Sequence, residues 1–308
     1  MKPAVAAGAK AFLAVVFWGI SFVATRAALR ELSPLTLVAT RAVLGTALLA
    51  VLTAWRRQPL VPPVSQWGAL AVMGFVGVFF HQWLQAQALT MTTAVRTGWL
   101  IGLIPIWSAI LAALFLRERF GLVKLLGLVL GFLGAVIVVT RGRLDARMLA
   151  LPSTHGDLLV LASTLNWAFY TILSTGTIRR VGSVMATAGS MFFGALFFLP
   201  LFLWHRGWTE YAHLTPVGVT AVLFLGLGCS GIAYLLWYAA LAATDAGKVS
   251  AFLYVEPLVT LAAAVALLGE EVGVATVLGG LVVLAGVALV QRAPAAKPAI
   301  ADAATAEN

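Results

Sequence analysis

Apolar residues fill this chain in runs too long for a soluble core. Ten of them cover roughly residues 9–29, 35–55, 66–89, 94–116, 122–140, 156–178, 183–204, 215–242, 246–268 and 274–291. Each approaches the ~20 residues that a helix needs to cross the hydrocarbon of a bilayer. Backbone in lipid must satisfy its own hydrogen bonds, so the runs predict helices. Ser33-Pro34 opens the second run, Pro59, Pro62 and Pro63 fill the gap before the third, and Arg117-Glu118-Arg119 follows the fourth. The stretch from Arg141 to Pro152 is the longest and most polar connector, with five runs on either side of it. Residues 293–308 are alanine-rich with Pro294 and Pro298, which predicts a disordered tail.

The pattern repeats. At an offset of 152, Arg96 falls on Lys248, Pro105 on Pro257, Glu118 on Glu270, Gly121 on Gly273, Gly127 on Gly279 and Gly134 on Gly286. At an offset of 149, Trp18, Ser21 and Phe22 of the first run fall on Trp167, Tyr170 and Thr171 of the sixth. Five spans per repeat is an odd number, so the second copy must enter the membrane the other way up. The expected architecture is an all-α integral membrane protein of ten helices. Its two inverted five-helix repeats span 9–140 and 156–291.

Composition agrees with a membrane protein: 62% of the chain is hydrophobic and 10% charged. The net charge of +9 does not point to nucleic acid, because the basic residues are scattered through short loops. They are more numerous in the loops that share a face with the termini, which predicts both termini in the cytoplasm. The first run carries Trp18 and lacks a small-residue cleavage site, so it reads as a retained span. One cysteine, Cys229, excludes an internal disulfide, and His81 has no second ligand at metal spacing. Neither a metal nor a cofactor is expected.

Several stretches are similar to one family. They are Phe17-Trp18-Gly19-Ile20-Ser21-Phe22, Pro34 to Arg41, and Pro105 followed by Leu116-Arg117-Glu118-Arg119. Glu256-Pro257 followed by Leu268-Gly269-Glu270-Glu271, Gly156-Asp157-Leu158-Leu159 and Asn166-Trp167-Ala168 complete the set. The chain resembles an EamA-type member of the drug/metabolite transporter superfamily from about residue 10 to 291. The resemblance implies ten helices, cytoplasmic termini and export or exchange of small metabolites, with no particular substrate.

Candidate solute contacts follow from polar and aromatic residues at span depth. Glu256 precedes Pro257 near the middle of the ninth run, where a carboxylate costs ~2.5–3.5 kcal/mol on insertion scales. It can meet a solute ammonium, couple a proton, or sit neutral against carbonyls that the proline frees. His81, Gln82 and Gln85 share a face of the third run, and the offset of 152 carries Gln82, Gln85 and Ala86 onto Tyr234, Trp237 and Tyr238. The two stripes line a pocket, or they are hydrogen-bond glue between helices. Trp18, Phe22, Trp167 and Tyr170 bring aromatic surface too deep for a belt at the interface. Pro105 and Pro257 each remove a helix hydrogen bond and kink or loosen their spans. Arg41 lies two turns into the second run. It snorkels outward, caps carbonyls, binds a solute carboxylate, or pairs with Glu31.

Gly226-Leu227-Gly228-Cys229-Ser230-Gly231 fits a dinucleotide fingerprint in letters only, because no strand precedes it. Neither a nucleotide-hydrolysis motif nor a set of convergent catalytic groups is present, which argues against a pump and an enzyme. A charge ring or filter repeat, as in a channel, is also missing. The expectation is a monomeric transporter of a bacterial cytoplasmic (inner) membrane. It would export amino acids or similar amphipathic solutes by alternating access, with the lipid bilayer and a small-molecule substrate as its partners. A non-transporting scaffold or an intramembrane enzyme is the alternative.

Overall fold

The structure, a computed structural model, describes residues 3–55, 57, 59, 61–116, 121–143, 152–243, 249 and 251–292. The tail 293–308, Lys248 and Arg117-Glu118-Arg119 lie outside the described residues. Every regular element among the described residues is helical. Nine stretches are long and apolar enough to cross a bilayer, and Phe252–Leu268 is a shorter apolar tenth. In chain order, α1 is Pro3–Ala28, α2 Pro34–Trp55, α3 Val64–Met91 and α4 Ala94–Ile101 continued by Ile104–Leu116. Helix α5 is Leu122–Thr140, α6 Pro152–Val181 and α7 Ser183–Trp204. Helix α8 is Pro216–Ala240, α9 runs from Ala251 to Leu268, and α10 is Val274–Arg292. Alternating spans leave both ends of the bundle on one face, here the terminal face.

Glycines set the seam between α5 and α10. A Cβ added at Gly127 would lie 2.6 Å from the Gly286 carbonyl oxygen, and one at Gly134 2.6 Å from that of Gly279. The contacts are reciprocal: Gly279 meets the Gly134 oxygen at 2.9 Å and Gly286 the Gly127 oxygen at 2.6 Å. Gly127 and Gly279 are repeat mates, as are Gly134 and Gly286. A crossed exchange between mates is what a two-fold relation produces. Small residues are needed there because lipid supplies no hydrophobic drive and close backbone approach supplies the packing. Other helices pair across the repeats in the same fashion. Helix α1 packs on α8 and α9, α6 on α3 and α4, and α2 on α7.

Four spans depart from a regular α-helix, in mate pairs. Gly74–Phe80 of α3 and Phe224–Ala233 of α8 are π-helical, and the offset of 152 superposes the two stretches. Helix α4 is interrupted at Gly102-Leu103, just ahead of Pro105. Helix α9 starts as a 3-10 turn over Ala251–Val255 and becomes α-helical at Glu256, just ahead of Pro257. Each proline lacks an N–H, so the carbonyls of Ile101 and Leu253 lose their α-helical donors. Irregular backbone at this depth survives where it faces a cavity.

Candidate functional site

The breaks in α4 and α9, and the first residues after the π-helical stretches, meet at one central cavity. It is lined by Trp18, Ser21 and Phe22 of α1, Arg41 of α2, and His81, Gln82 and Gln85 of α3. Ile101 and Ile104 of α4, Trp167 of α6, Tyr234 of α8, and Leu253 and Glu256 of α9 complete the wall. Its volume is about 40 Å³, room for a few waters and too little for a metabolite. The cavity is a narrow one.

Local sequence explains how each side chain arrives. A Cβ at Gly19 would sit 2.8 Å from Val259, so α9 crosses α1 closely there, and the Thr260 hydroxyl donates to the Gly19 carbonyl at 2.9 Å. That crossing holds Glu256 beside Trp18 and Phe22. The glycine run of α8 does similar work against α2. Gly226 abuts Leu44, Gly231 abuts Leu48, and Gly45 of α2 abuts Ser230. Arg41 is thereby drawn inward, where its Nε donates to Ser230 Oγ at 3.1 Å. The π-helical turns place His81 and Tyr234 at the first positions of the α-segments that follow.

Aromatic rings form a cage around the space. Trp18 stands edge-on to Trp167 and Tyr234, with centroids 6.0 and 5.5 Å apart, and lies 5.2 Å from Trp237. The His81 ring is 4.7 Å from Trp167. His81 is buried, and its Nδ1 has no hydrogen-bond partner among the described residues. Tyr170 and Tyr238 stand behind the wall, their hydroxyls 2.9 Å apart, and Tyr170 backs Trp167 at 5.3 Å. They are outside the lining of the central cavity, as is Trp237. Trp107 is committed to packing: its Nε1 donates to Thr164 at 2.9 Å and its ring meets Phe132.

A larger space, about 240 Å³, lies toward the terminal face. Ser108, Ala109, Lys124, Thr171, Trp237 and Gln291 contribute to its walls, and it shares Ile104, Trp167 and Leu253 with the central cavity. Those three side chains line both spaces. Thr171 and Trp237 are the repeat mates of Phe22 and Gln85, so mates face the wider vestibule in one half and the narrower central cavity in the other.

The opposite face is tied shut by charge. The Arg96 guanidinium pairs with Asp157, also donates to the Val139 carbonyl at 2.8 Å, and both charged side chains are buried. Thr92 Oγ1 donates to the same carboxylate at 2.5 Å. Gly269, with φ of 63°, ends α9 in a left-handed turn that brings Glu270 to the start of α4. There the Ala94 and Val95 N–H groups donate to its carboxylate at 2.9 and 3.0 Å, and Arg26 Nε lies 3.4 Å away. Arg26 also donates to the carbonyls of Leu89 and Thr92. Glu210 caps α2, accepting from the Ser33 N–H at 2.6 Å and the Thr36 hydroxyl at 2.9 Å. Glu31 caps α8, accepting from the Thr215 N–H and hydroxyl, each at 2.7 Å. Those bonds hold the Glu31 carboxyl below the usual carboxylate range. Of the readings of Arg41, the pair with Glu31 is therefore overturned: Glu31 is taken by α8, and Arg41 lines the central cavity.

Sequence reasoning gave Arg41 a solute-carboxylate role as one reading of four and left Ser21 outside the candidate set. Ser21 is one helical turn from Trp18, and a cation inside an apolar span is itself a functional signal. Ile101, Ile104 and Leu253 carried no such mark.

Comparison with known proteins fits this arrangement. Residues 7–140 and 154–292 each match the EamA-like transporter family. An uncharacterized transporter of Archaeoglobus fulgidus is 32% identical, the alignment covering 90% of this chain and 94% of that protein. The uncharacterized transporter YvbV of Bacillus subtilis is 25% identical over 94% of this chain and 93% of its own. A solved crystal structure shares the fold with a TM-score of 0.65 at 20% identity, covering 92% of this chain and 95% of the other. With one match in each half and relatives along nearly its whole length, this integral membrane protein belongs to the EamA-like transporter family.

Proposed function

We propose that the protein exports small amphipathic metabolites, amino acids above all, by alternating access about the central cavity. The observation that carries this reading is the unequal closure of the two faces. Among the described residues the cavity and a vestibule on the terminal face share three lining side chains, whereas the buried Arg96–Asp157 pair, the partly exposed Arg26–Glu270 pair and carboxylate caps tie the other face. On this reading the structure is an occluded state next to opening inward. The termini lie in the cytoplasm of a bacterial inner membrane, and the chain works as a monomer. Solute enters from the vestibule when Ile104, Leu253 and Trp167 separate. It leaves when the carboxylate ties on the far face release and the vestibule closes.

The cage suits an amphipathic solute, since rings supply apolar contact while Gln82, Gln85 and Ser21 supply hydrogen bonds. Drive comes from a gradient, because no nucleotide-hydrolysing motif is present. The test is counterflow of radiolabelled amino acids into liposomes that contain the purified protein. Saturable exchange for at least one of them is the expected result. No uptake across the twenty, or flux that rises linearly without saturation, would discard the proposal.

A further inference from the structure

Two ionisable groups in the central cavity have no partner of opposite charge among the described residues. Arg41 is 5% exposed and Glu256 is 4% exposed, and both line the same cavity, from α2 and from α9. The ion pairs among the described residues are Arg26–Glu270 and Arg96–Asp157, so neither cavity charge belongs to one. Ser230 occupies Arg41 Nε, and the terminal nitrogens of the guanidinium make no hydrogen bond with described residues. No described side chain donates to the Glu256 carboxyl either; the Thr260 hydroxyl goes to its backbone carbonyl instead. A buried charge left without a partner is strongly unfavourable, and the cavity, with room for a few waters, offers neither group an opposite charge among the described residues.

The repeat offers a second argument. Many backbone features of the bundle are duplicated: the seam glycines, the prolines and the π-helical turns all occur in mate pairs. The two charges are not. Glu256 falls on Ile104 at the offset of 152, and Arg41 falls on Ser190 at the offset of 149 that relates α1 to α6. Groups present in one copy only are not part of the common scaffold.

Building on the transport reading above, we infer that Arg41 and Glu256 form a zwitterion site. Arg41 receives a solute carboxylate and Glu256 receives an ammonium on the same molecule. A planar guanidinium with free N–H groups presents a fork that matches a carboxylate. Solutes that carry only one of the two groups leave the other protein charge buried and unpaired, so the site rejects them.

The experiment is a thermal-shift titration of the purified full-length protein. One set of probes is L-leucine, isoamylamine, which lacks the carboxylate, and 4-methylpentanoate, which lacks the ammonium. A second set is L-alanine, ethylamine and propionate. In at least one set the amino acid binds ten-fold or more tightly than either of its analogues. Arg41→Gln lowers amino-acid affinity to that of the amine and leaves the amine unchanged, and Glu256→Gln does the converse with the acid. Equal affinity for an amino acid and a single-charge analogue overturns the inference, and so does retained selectivity in Arg41→Gln. If that variant does not melt cooperatively, Arg41→Lys and the natural sequence decide the matter with the same probes. Counterflow without zwitterion selectivity would remove this inference and leave the transport reading standing. Absence of both counterflow and binding would remove both.

Discussion

The two faces of the bundle are built from the same repeat and closed by different means. Toward the termini, among the described residues, Ile104, Leu253 and Trp167 stand between a cavity of about 40 Å³ and a vestibule of about 240 Å³, lining both. On the other face Arg96–Asp157 and Arg26–Glu270 join α1, α4, α6 and α9, while Glu31 and Glu210 cap α8 and α2 across the repeat boundary. Apolar side chains part by changing rotamer. Charged ties part only when several hydrogen bonds are exchanged for water together. The difference, drawn among the described residues, teaches that an inverted repeat need not be closed alike at both ends: the seam glycines and the prolines are shared, whereas Asp157, Glu31 and Glu210 of the far face fall on Gly8, Arg180 and Val61 at the offset of 149.

The largest break in this comparison comes from Asp157. Removing one member of a buried ion pair leaves the other uncompensated, at a cost of ~3–5 kcal/mol. Asp157→Asn strands Arg96, whose Nε and one terminal nitrogen already lack partners among the described residues. Its melting temperature in detergent falls well below that of the natural sequence. The double variant Arg96→Gln with Asp157→Asn recovers much of the loss, because no charge is then left buried. A double variant as unstable as the single one would show that the pair does not act as a unit.

Much of this arrangement was open to sequence reasoning, and the rest was hidden for physical reasons. Spans, the repeat and the two prolines announce themselves, since bilayer thickness fixes run length and proline cannot donate. The π-helical stretches do not. Gly74–Phe80 and Phe224–Ala233 are ordinary apolar residues, and their shifted hydrogen bonds follow from packing against α7 and α2. Gly226 to Gly231 has the letters of a nucleotide fingerprint and turns out to be the surface on which α2 rides. Glu31 and Arg41 lie ten positions apart near one face, yet α8 and the cavity claim them separately. The carboxylate caps join residues some 180 positions apart, so no local pattern shows them: Glu270 reaches Ala94 and Glu31 reaches Thr215.

A smaller effect sharpens the contrast in accessibility. Ser108 and Thr171 face the vestibule, and Phe22 faces the narrower central cavity with 3% of its surface exposed. Single variants Ser108→Cys and Phe22→Cys, with Cys229→Ser to silence the buried native thiol, report on the two spaces. A water-soluble maleimide labels position 108 at least ten-fold faster than position 22. Adding Glu270→Gln weakens two charge-assisted hydrogen bonds worth ~1.5–3 kcal/mol each before compensation by water. It also removes the charge beside Arg26. Labelling at position 22 then rises several-fold and labelling at 108 does not. Equal labelling of the two positions in the parent would mean that the faces are closed alike.

The smallest effect belongs to Glu31, and its sign can be worked out. Hydrogen bonds from the Thr215 side chain, then from the backbone, lower its carboxyl below the ordinary value of 4.5. A carboxylate whose folded-state pKa is depressed adds stability that is complete above the unfolded value and is lost as pH falls through the folded one. The tie between α1 and α8 is therefore intact at neutral pH and weakens below about pH 4.5. The group is fully exposed, so solvent screens its contribution and the change is slight. Melting temperature followed from pH 7 to pH 3 should drop a little more steeply for the natural sequence than for Glu31→Gln. The two curves converge at the acid end, because protonated Glu31 and glutamine are both neutral there. Curves that stay parallel throughout would mean that the Glu31 cap does not titrate with the fold, and that the closure of that face rests on Arg96–Asp157 and Arg26–Glu270 alone.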